Sequence, residues 1–221
     1  MRTVHSSAPM NWSHCACSTR MNKMKTLQML TLLSGLFLSA TVLPAQPRVL
    51  IIRHSEKLSG WPHGEFNSFQ PLSPAGVATS HALSGWLHAR SIRVDTVLSS
   101  ATTRTLHTAF IIAQAQNAGI GVNRALQDTS LIDAFWKQVK QDFGQDQTVL
   151  LVSHSNIIPY LLLKAGLPDS CRTEAGISQP RPDFWLLIEG YDSVWEIPAR
   201  QPAPGACAGV RRYFFRRPAR E

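Results

Sequence analysis

Charge is sparse in this chain: 16% of its 221 residues are Asp, Glu, Lys or Arg, while 44% are hydrophobic. That balance excludes an intrinsically disordered chain and leaves enough apolar material for a sizeable core. Glycine and proline, at 13 and 14 residues, are too few for a collagen-like chain. The length suits one domain of ordinary size with extensions. Cysteine is scarcer still, with four residues. Cys15 and Cys17 precede an expected cleavage site, so Cys171 and Cys207 remain, either as one disulfide or as two free thiols. No residue cluster has the spacing of a metal site, and no nucleic-acid motif, internal repeat or low-complexity block is present.

Acidic residues are the minority, 14 against 22 basic ones, for a formal charge of +8. The excess sits at the two ends. Arg2, Arg20, Lys23 and Lys25 lie near the N-terminus, and "RRYFFRRPARE" (211–221) carries five arginines and one glutamate. The body between Gln46 and Val210 is neutral, so no nucleic-acid partner is expected. The Pro/Arg-rich stretch 201–221 reads as a solvated basic tail, able to touch an anionic surface.

A long unbroken apolar run is also missing. "LQMLTLLSGLFLSATVL" (27–43) is short for a membrane span, follows Lys23 and Lys25, and leads into "LPAQ". These are the parts of an export signal with cleavage after Ala45, for which Met21 or Met24 makes a more usual start. The expectation is a periplasmic or secreted protein with no membrane span once residues 1–45 are removed.

From Gln46 onward, strand-like and helix-like segments alternate, which predicts a mostly parallel sheet covered by helices on both faces. "RVLII" (48–52), "VDTVLSS" (94–100) and "QTVLLVSHS" (147–155) read as strands, the first and last buried on both faces. A short strand or extended piece is expected in "GVNRALQD" (121–128). Helices are expected over 72–90, with Ser73 as cap and Pro74 in the first turn, and over 101–119, 131–144 and 156–166. "DFWLLIEG" and "SVWEIPA", joined by "YD", read as a closing hairpin. The domain is thus expected over 46–200.

In open α/β sheets, sites collect at the carboxyl ends of strands. Arg53 and His54, Ser99 and Ser100 with Arg104, and Ser153 to Asn156 all follow strand ends and should converge. Two guanidiniums and two imidazoles at one edge suit a tetrahedral dianion. Arginine offers forked donors with a persistent charge, and a neutral imidazole is a nucleophile. Such a set stabilises charge on the equatorial oxygens during phosphoryl transfer.

Four segments, in this order, carry a resemblance: "VLIIRHSEK", "PLSPAG", "SSATTRTLHTA" and "TVLLVSHSNIIPYLL". Together the chain resembles the histidine phosphatase superfamily, also called phosphoglycerate mutase-like, over residues 48 to 198. The resemblance implies a three-layer α/β/α fold with a mostly parallel central sheet. It implies a phosphomonoester hydrolase without metal or other cofactor, acting on a phosphorylated small molecule or envelope substrate. His54 would be the nucleophile that forms a phosphohistidine, with Arg53, Arg104 and His154 completing the phosphate pocket. Ser155 and Glu56 would contact substrate; for Ser155 and Asn156, capping the next helix is the competing role.

The chain departs from the family pattern at two places. Ser55 and Ser153 stand where glycines are usual, which is tolerable only if neither position needs a positive φ. The leaving oxygen also needs a proton. Asp128, in "LQD", falls near the family's acid position, with Asp133 and Glu56 as rivals. Phosphoglycerate mutase-type phosphotransfer and non-catalytic binding of a phosphorylated ligand are the alternatives. Export argues against the mutase, as does the shortness of the segment after "RHSEK". The loops 58–70 and 167–183 should wall the pocket.

Overall fold

The computed structural model describes residues 46–62, 64–200 and 207–216. The expected export signal, Cys15, Cys17 and the rest of the C-terminal stretch lie outside these residues. A six-stranded sheet forms the centre, in the order β3-β2-β4-β1-β7-β8. Its strands are β1 (Arg48–Arg53), β2 (Thr96–Ser99), β3 (Gly119–Val122), β4 (Thr148–Ser153), β7 (Ser193–Ile197) and β8 (Arg211–Phe214). The first four run parallel, β7 pairs antiparallel with β1, and β8 antiparallel with β7. The helices are α1 (Pro74–Ala89), α2 (Thr103–Gln116), α3 (Ile132–Asp142) and α4 (Ile158–Lys164). This is the expected α/β/α arrangement.

Alternation along the strands divides the core. Val49, Ile51, Val149 and Leu151 face one layer with Phe135, Val139, Ile158 and Leu161 of α3 and α4. Leu50, Ile52, Leu150 and Val152 face the other, with Leu83 and Leu87 of α1 and Ala109 and Ile112 of α2. Burial on both faces is why these strands read as continuous apolar runs.

Register then sets the level at which the chain leaves the sheet. Arg53 lies opposite Ser153, and Ser99 opposite Val152. His54, His154 and Ser100 therefore emerge side by side from adjacent strands. The amide of His54 donates to Ser153 O at 2.9 Å, extending the ladder by one bond.

Two expectations need correction. The closing hairpin does not form: Leu187–Ile188 (β6) pairs with Ile177–Ser178 (β5), and β7 instead joins β1. Periodicity marks a strand but not its partner. The stretch 201–221 is not wholly a tail outside the domain, because 211–214 is the edge strand β8. Cys207 is bonded to Cys171 with their Cα atoms 5.6 Å apart, which ties this segment to the loop after α4. Among the described residues, no helix is long and apolar enough to cross a membrane.

Candidate active site

The second motif, "PLSPAG", holds the loop that follows β1. Ser73 caps α1 by accepting from the Gly76 amide at 3.0 Å, and Pro74 occupies the first turn. The Ser73 amide donates to Glu56 O at 2.9 Å, and its hydroxyl donates to the same oxygen at 3.2 Å. A side chain at position 76 would collide with that carbonyl, which is the physical reason for Gly76. The loop carrying His54 and Glu56 is thereby fixed against the start of α1.

His54 is 4% exposed. Its Nδ1 lies 2.8 Å from Ser55 O, an atom that can only accept, so Nδ1 carries the proton. Nε2 keeps its lone pair, towards which Arg104 Nε donates at 3.3 Å. The His154 ring stands edge-on to His54, with centroids 5.4 Å apart. His154 Nε2 is 2.8 Å from the Ser100 hydroxyl, which also meets Thr105 Oγ1 at 2.7 Å. His54, Arg104 and His154 are thereby brought together, with Arg53 close enough for its charge to act on both imidazoles.

Burial, and then the charges of His154, Arg104 and Arg53, lower the His54 pKa from 6.5 to about 2. Burial and the two arginines lower that of His154 to about 4. Both rings are neutral near pH 7. Arg104 sits in the first turn of α2, where a cation opposes the positive end of the helix dipole. Burial and the neighbouring Arg53 hold its pKa below the usual value. Neither Arg53 nor Arg104 forms an ion pair with a carboxylate among the described residues. Arg104 Nη1 donates to Asn67 O at 2.8 Å and Arg53 Nη1 to Gly190 O at 3.1 Å, neutral carbonyl partners that bring no opposite charge. Arg53 Nε is buried without a partner. A cluster built this way is completed by an anion.

The two serines in place of glycine cause no strain, since neither has a positive φ. Ser55 Oγ bonds Ser80 Oγ at 2.8 Å, and its amide donates to Thr108 Oγ1 at 3.1 Å. Ser153 Oγ donates to Leu126 O at 2.8 Å. Both hydroxyls are satisfied.

The carboxylates stand differently. Asp128 accepts from the Ser130 amide at 3.0 Å and from the Ser130 hydroxyl at 2.7 Å, capping a 3-10 turn. These bonds lower its pKa, the opposite of what a general acid requires, and no described contact joins it to the histidines. Asp133 is held by Lys164 on the surface at 2.8 Å. Glu56 lies two residues beyond His54, with Oε2 buried and unpartnered. Ser155 offers its carbonyl to the Ile188 amide at 3.0 Å. Neither Ser155 nor Asn156 caps α4, whose first turn is closed by the amides of Ile157 and Ile158 on His154 O at 3.0 Å.

Three further residues shape the site. The Tyr191 ring lies under the Arg53 guanidinium, 4.1 Å from centroid to Cζ, and 6.0 Å from the His54 ring. Asn67, in the expected wall loop, holds Arg104. Arg216 Nη1 lies 3.5 Å from Glu56 Oε1. The periodic signal of a strand or α-helix marks neither Tyr191, which lies in a bend before β7, nor Asn67, which lies in a short 3-10 helix (Gly64–Phe69). A cavity of about 390 Å³ is elsewhere, beside Cys171 and Tyr213. A second, about 310 Å³, is lined by Arg124, Gln127, Asp128, Asn156 and Trp185 next to the segment after His154.

No family model and no curated protein matches the chain. Solved structures do. A candidate phosphohistidine phosphatase SixA from Agrobacterium tumefaciens superposes with a TM-score of 0.53 at 20% identity, covering 71% of this chain and 93% of its own. The protein histidine phosphatase SixA complexed with tungstate gives 0.52 at 18% identity, over 76% and 94%. A mycobacterial glucosyl-3-phosphoglycerate phosphatase in complex with VO3 gives 0.52 at 12% identity, over 76% and 97%. The chain has the phosphoglycerate mutase-like α/β fold that these proteins share.

Proposed function

We propose that this chain is a phosphomonoester hydrolase that acts through a phosphohistidine on His54. One observation carries the reading: a neutral imidazole whose unprotonated Nε2 faces the buried Arg104 guanidinium stands with the half-buried Arg53 and a second imidazole, and no described carboxylate forms an ion pair with either arginine. The phosphate dianion of a substrate supplies the missing negative charge. Nε2 attacks phosphorus as the phosphorus–oxygen ester bond breaks, and the alcohol leaves with its electron pair. Arg53, Arg104 and His154 hold the equatorial oxygens as charge redistributes. Water then attacks the phosphohistidine, releasing inorganic phosphate and returning Nε2 to its neutral state.

Asp128 is committed to Ser130, so the departing oxygen takes its proton from solvent in this reading. The substrate's organic part lodges in the cavity beside Asn156 and Trp185. The protein is exported by the segment 1–45, and the Cys171–Cys207 bond supports an oxidising compartment.

The test is hydrolysis of an aryl phosphate by the purified mature protein, with and without chelator, beside His54→Ala. Turnover that survives chelation, disappears in the variant and leaves a phosphoryl adduct on His54 supports the reading. Turnover retained by His54→Ala overturns it. Isomerisation of phosphoglycerates without phosphate release points to a mutase, and tungstate binding without turnover of any ester to a binding domain.

A further inference from the structure

We propose that Arg216 is a positioning residue for the anion pocket: it neutralises Glu56, so that the carboxylate nearest the nucleophile in sequence does not repel a bound phosphate group. The inference rests on the phosphatase reading for the identity of the anion, but not for its test.

The loop after β1 presents Glu56 at the pocket whether or not a negative charge is wanted there. Its backbone is clamped by Ser73 and by the close approach of Gly76, so the side chain cannot be carried away by loop movement. Its side chain is 27% exposed, its Oε2 is buried without a partner, and Arg53 feels its charge. An uncompensated carboxylate here works against a dianion held by Arg53 and Arg104.

The compensation comes from the far end of the sequence. The Cys171–Cys207 bond anchors the chain, β8 adds it to the sheet edge beside β7, and the Phe215 amide donates to Asp192 O at 3.0 Å. Asp192 follows Tyr191, whose ring lies under Arg53. This route delivers Arg216 to the mouth of the pocket, with Nη1 at 3.5 Å from Glu56 Oε1. The other two arginines of the segment among the described residues have different work. Arg212 bonds Ser193 Oγ, and Arg211 is exposed on the edge strand. The basic C-terminal stretch, which looked like a solvated tail, thus places one of its charges at the site.

The experiment measures the dissociation constant of orthovanadate, together with kcat and KM for an aryl phosphate, across four variants. Arg216→Ala weakens vanadate binding and raises KM about three- to tenfold, with kcat changing less. Arg216→Lys retains most of the affinity. Glu56→Gln binds vanadate at least as tightly as wild type. The decisive arm is Arg216→Ala combined with Glu56→Gln, which restores affinity because no charge is left to neutralise. A double variant as weak as Arg216→Ala alone, or an Arg216→Ala affinity equal to wild type, overturns the inference. Because vanadate binding is read directly, a wild type that binds it without hydrolysing esters defeats the proposed function and still tests the role of Arg216.

Discussion

Arg104 donates from Nε to Nε2 of His54 at 3.3 Å, so a guanidinium in the first turn of α2 points at the lone pair of the candidate nucleophile. The contact orients the ring and also occupies the atom that must attack. A substrate oxygen entering the pocket takes over the guanidinium and frees the lone pair. Arg104→Lys, with a point charge in place of the fork, lowers kcat/KM for an aryl phosphate at least about 100-fold. A loss under tenfold, measured by steady-state kinetics, contradicts the role assigned to the fork.

Acid sensitivity follows from the buried rings. The native pKa values are about 2 for His54 and about 4 for His154, against 6.5 in the unfolded chain. Below about pH 6.5 the unfolded state therefore binds more protons than the native one, and stability rises with pH in that window. On acidification the loss begins near the unfolded value. It ends near pH 4 for His154 and continues towards pH 2 for His54. Scanning calorimetry should show Tm falling steadily between about pH 6.5 and about pH 4.5. A Tm that is flat there counts against neutral buried histidines.

Ser153 makes a sharper test of local structure than its small size suggests. Its hydroxyl is fully buried and satisfies Leu126 O. Glycine at this position removes that donor and loosens the backbone. Ser153→Gly costs about 1–2 kcal/mol, read as a lower urea midpoint. Hydrolysis stays within a few-fold of wild type if the position needs only a small residue.

The disulfide closes a loop of 36 residues in sequence separation. Cys171→Ser with Cys207→Ser lowers stability by about 2–4 kcal/mol, and reductant lowers the wild-type Tm in the same direction. Since the bond anchors the route to Arg216, the same double variant weakens vanadate binding. Unchanged thermal unfolding in reductant contradicts a structural role for the bond.

Asp128 provides the negative control for proton donation. Its carboxylate holds Ser130 rather than a histidine. Asp128→Asn changes kcat for aryl phosphates less than about twofold, and the acid limb of the pH–rate profile does not move. Loss of that limb in the variant returns the donor role to Asp128.

The residues that sequence reasoning found best are those tied to strand ends. Arg53, His54 and His154 follow apolar runs whose register the sheet fixes, and Arg104 sits a helical turn after a third strand end. Chain order and the rule for open α/β sheets bring them together without tertiary detail. The loop after β1 was less readable. Nothing local to "RHSEK" shows that Glu56 meets an arginine 160 positions away. The same limit explains the mistaken hairpin: "SVWEIPA" is a strand either way, but β1 offers it four buried partners, Val49 to Ile52, where β6 is only two residues long. Asp128 was chosen by position in a motif, and its two bonds to Ser130 are a local turn that sequence position does not separate from a catalytic placement.

Two guanidiniums brought to one pocket put the native fold under electrostatic tension. Any compact oxyanion that settles among Arg53, Arg104 and the two imidazoles relieves it, and so acts as a ligand for folding as well as for chemistry. The gain grows with the logarithm of anion concentration over its dissociation constant. Buffer choice then becomes a structural variable for this protein: phosphate or sulfate in the medium selects the folded chain, and a chloride buffer of equal ionic strength leaves it easier to unfold.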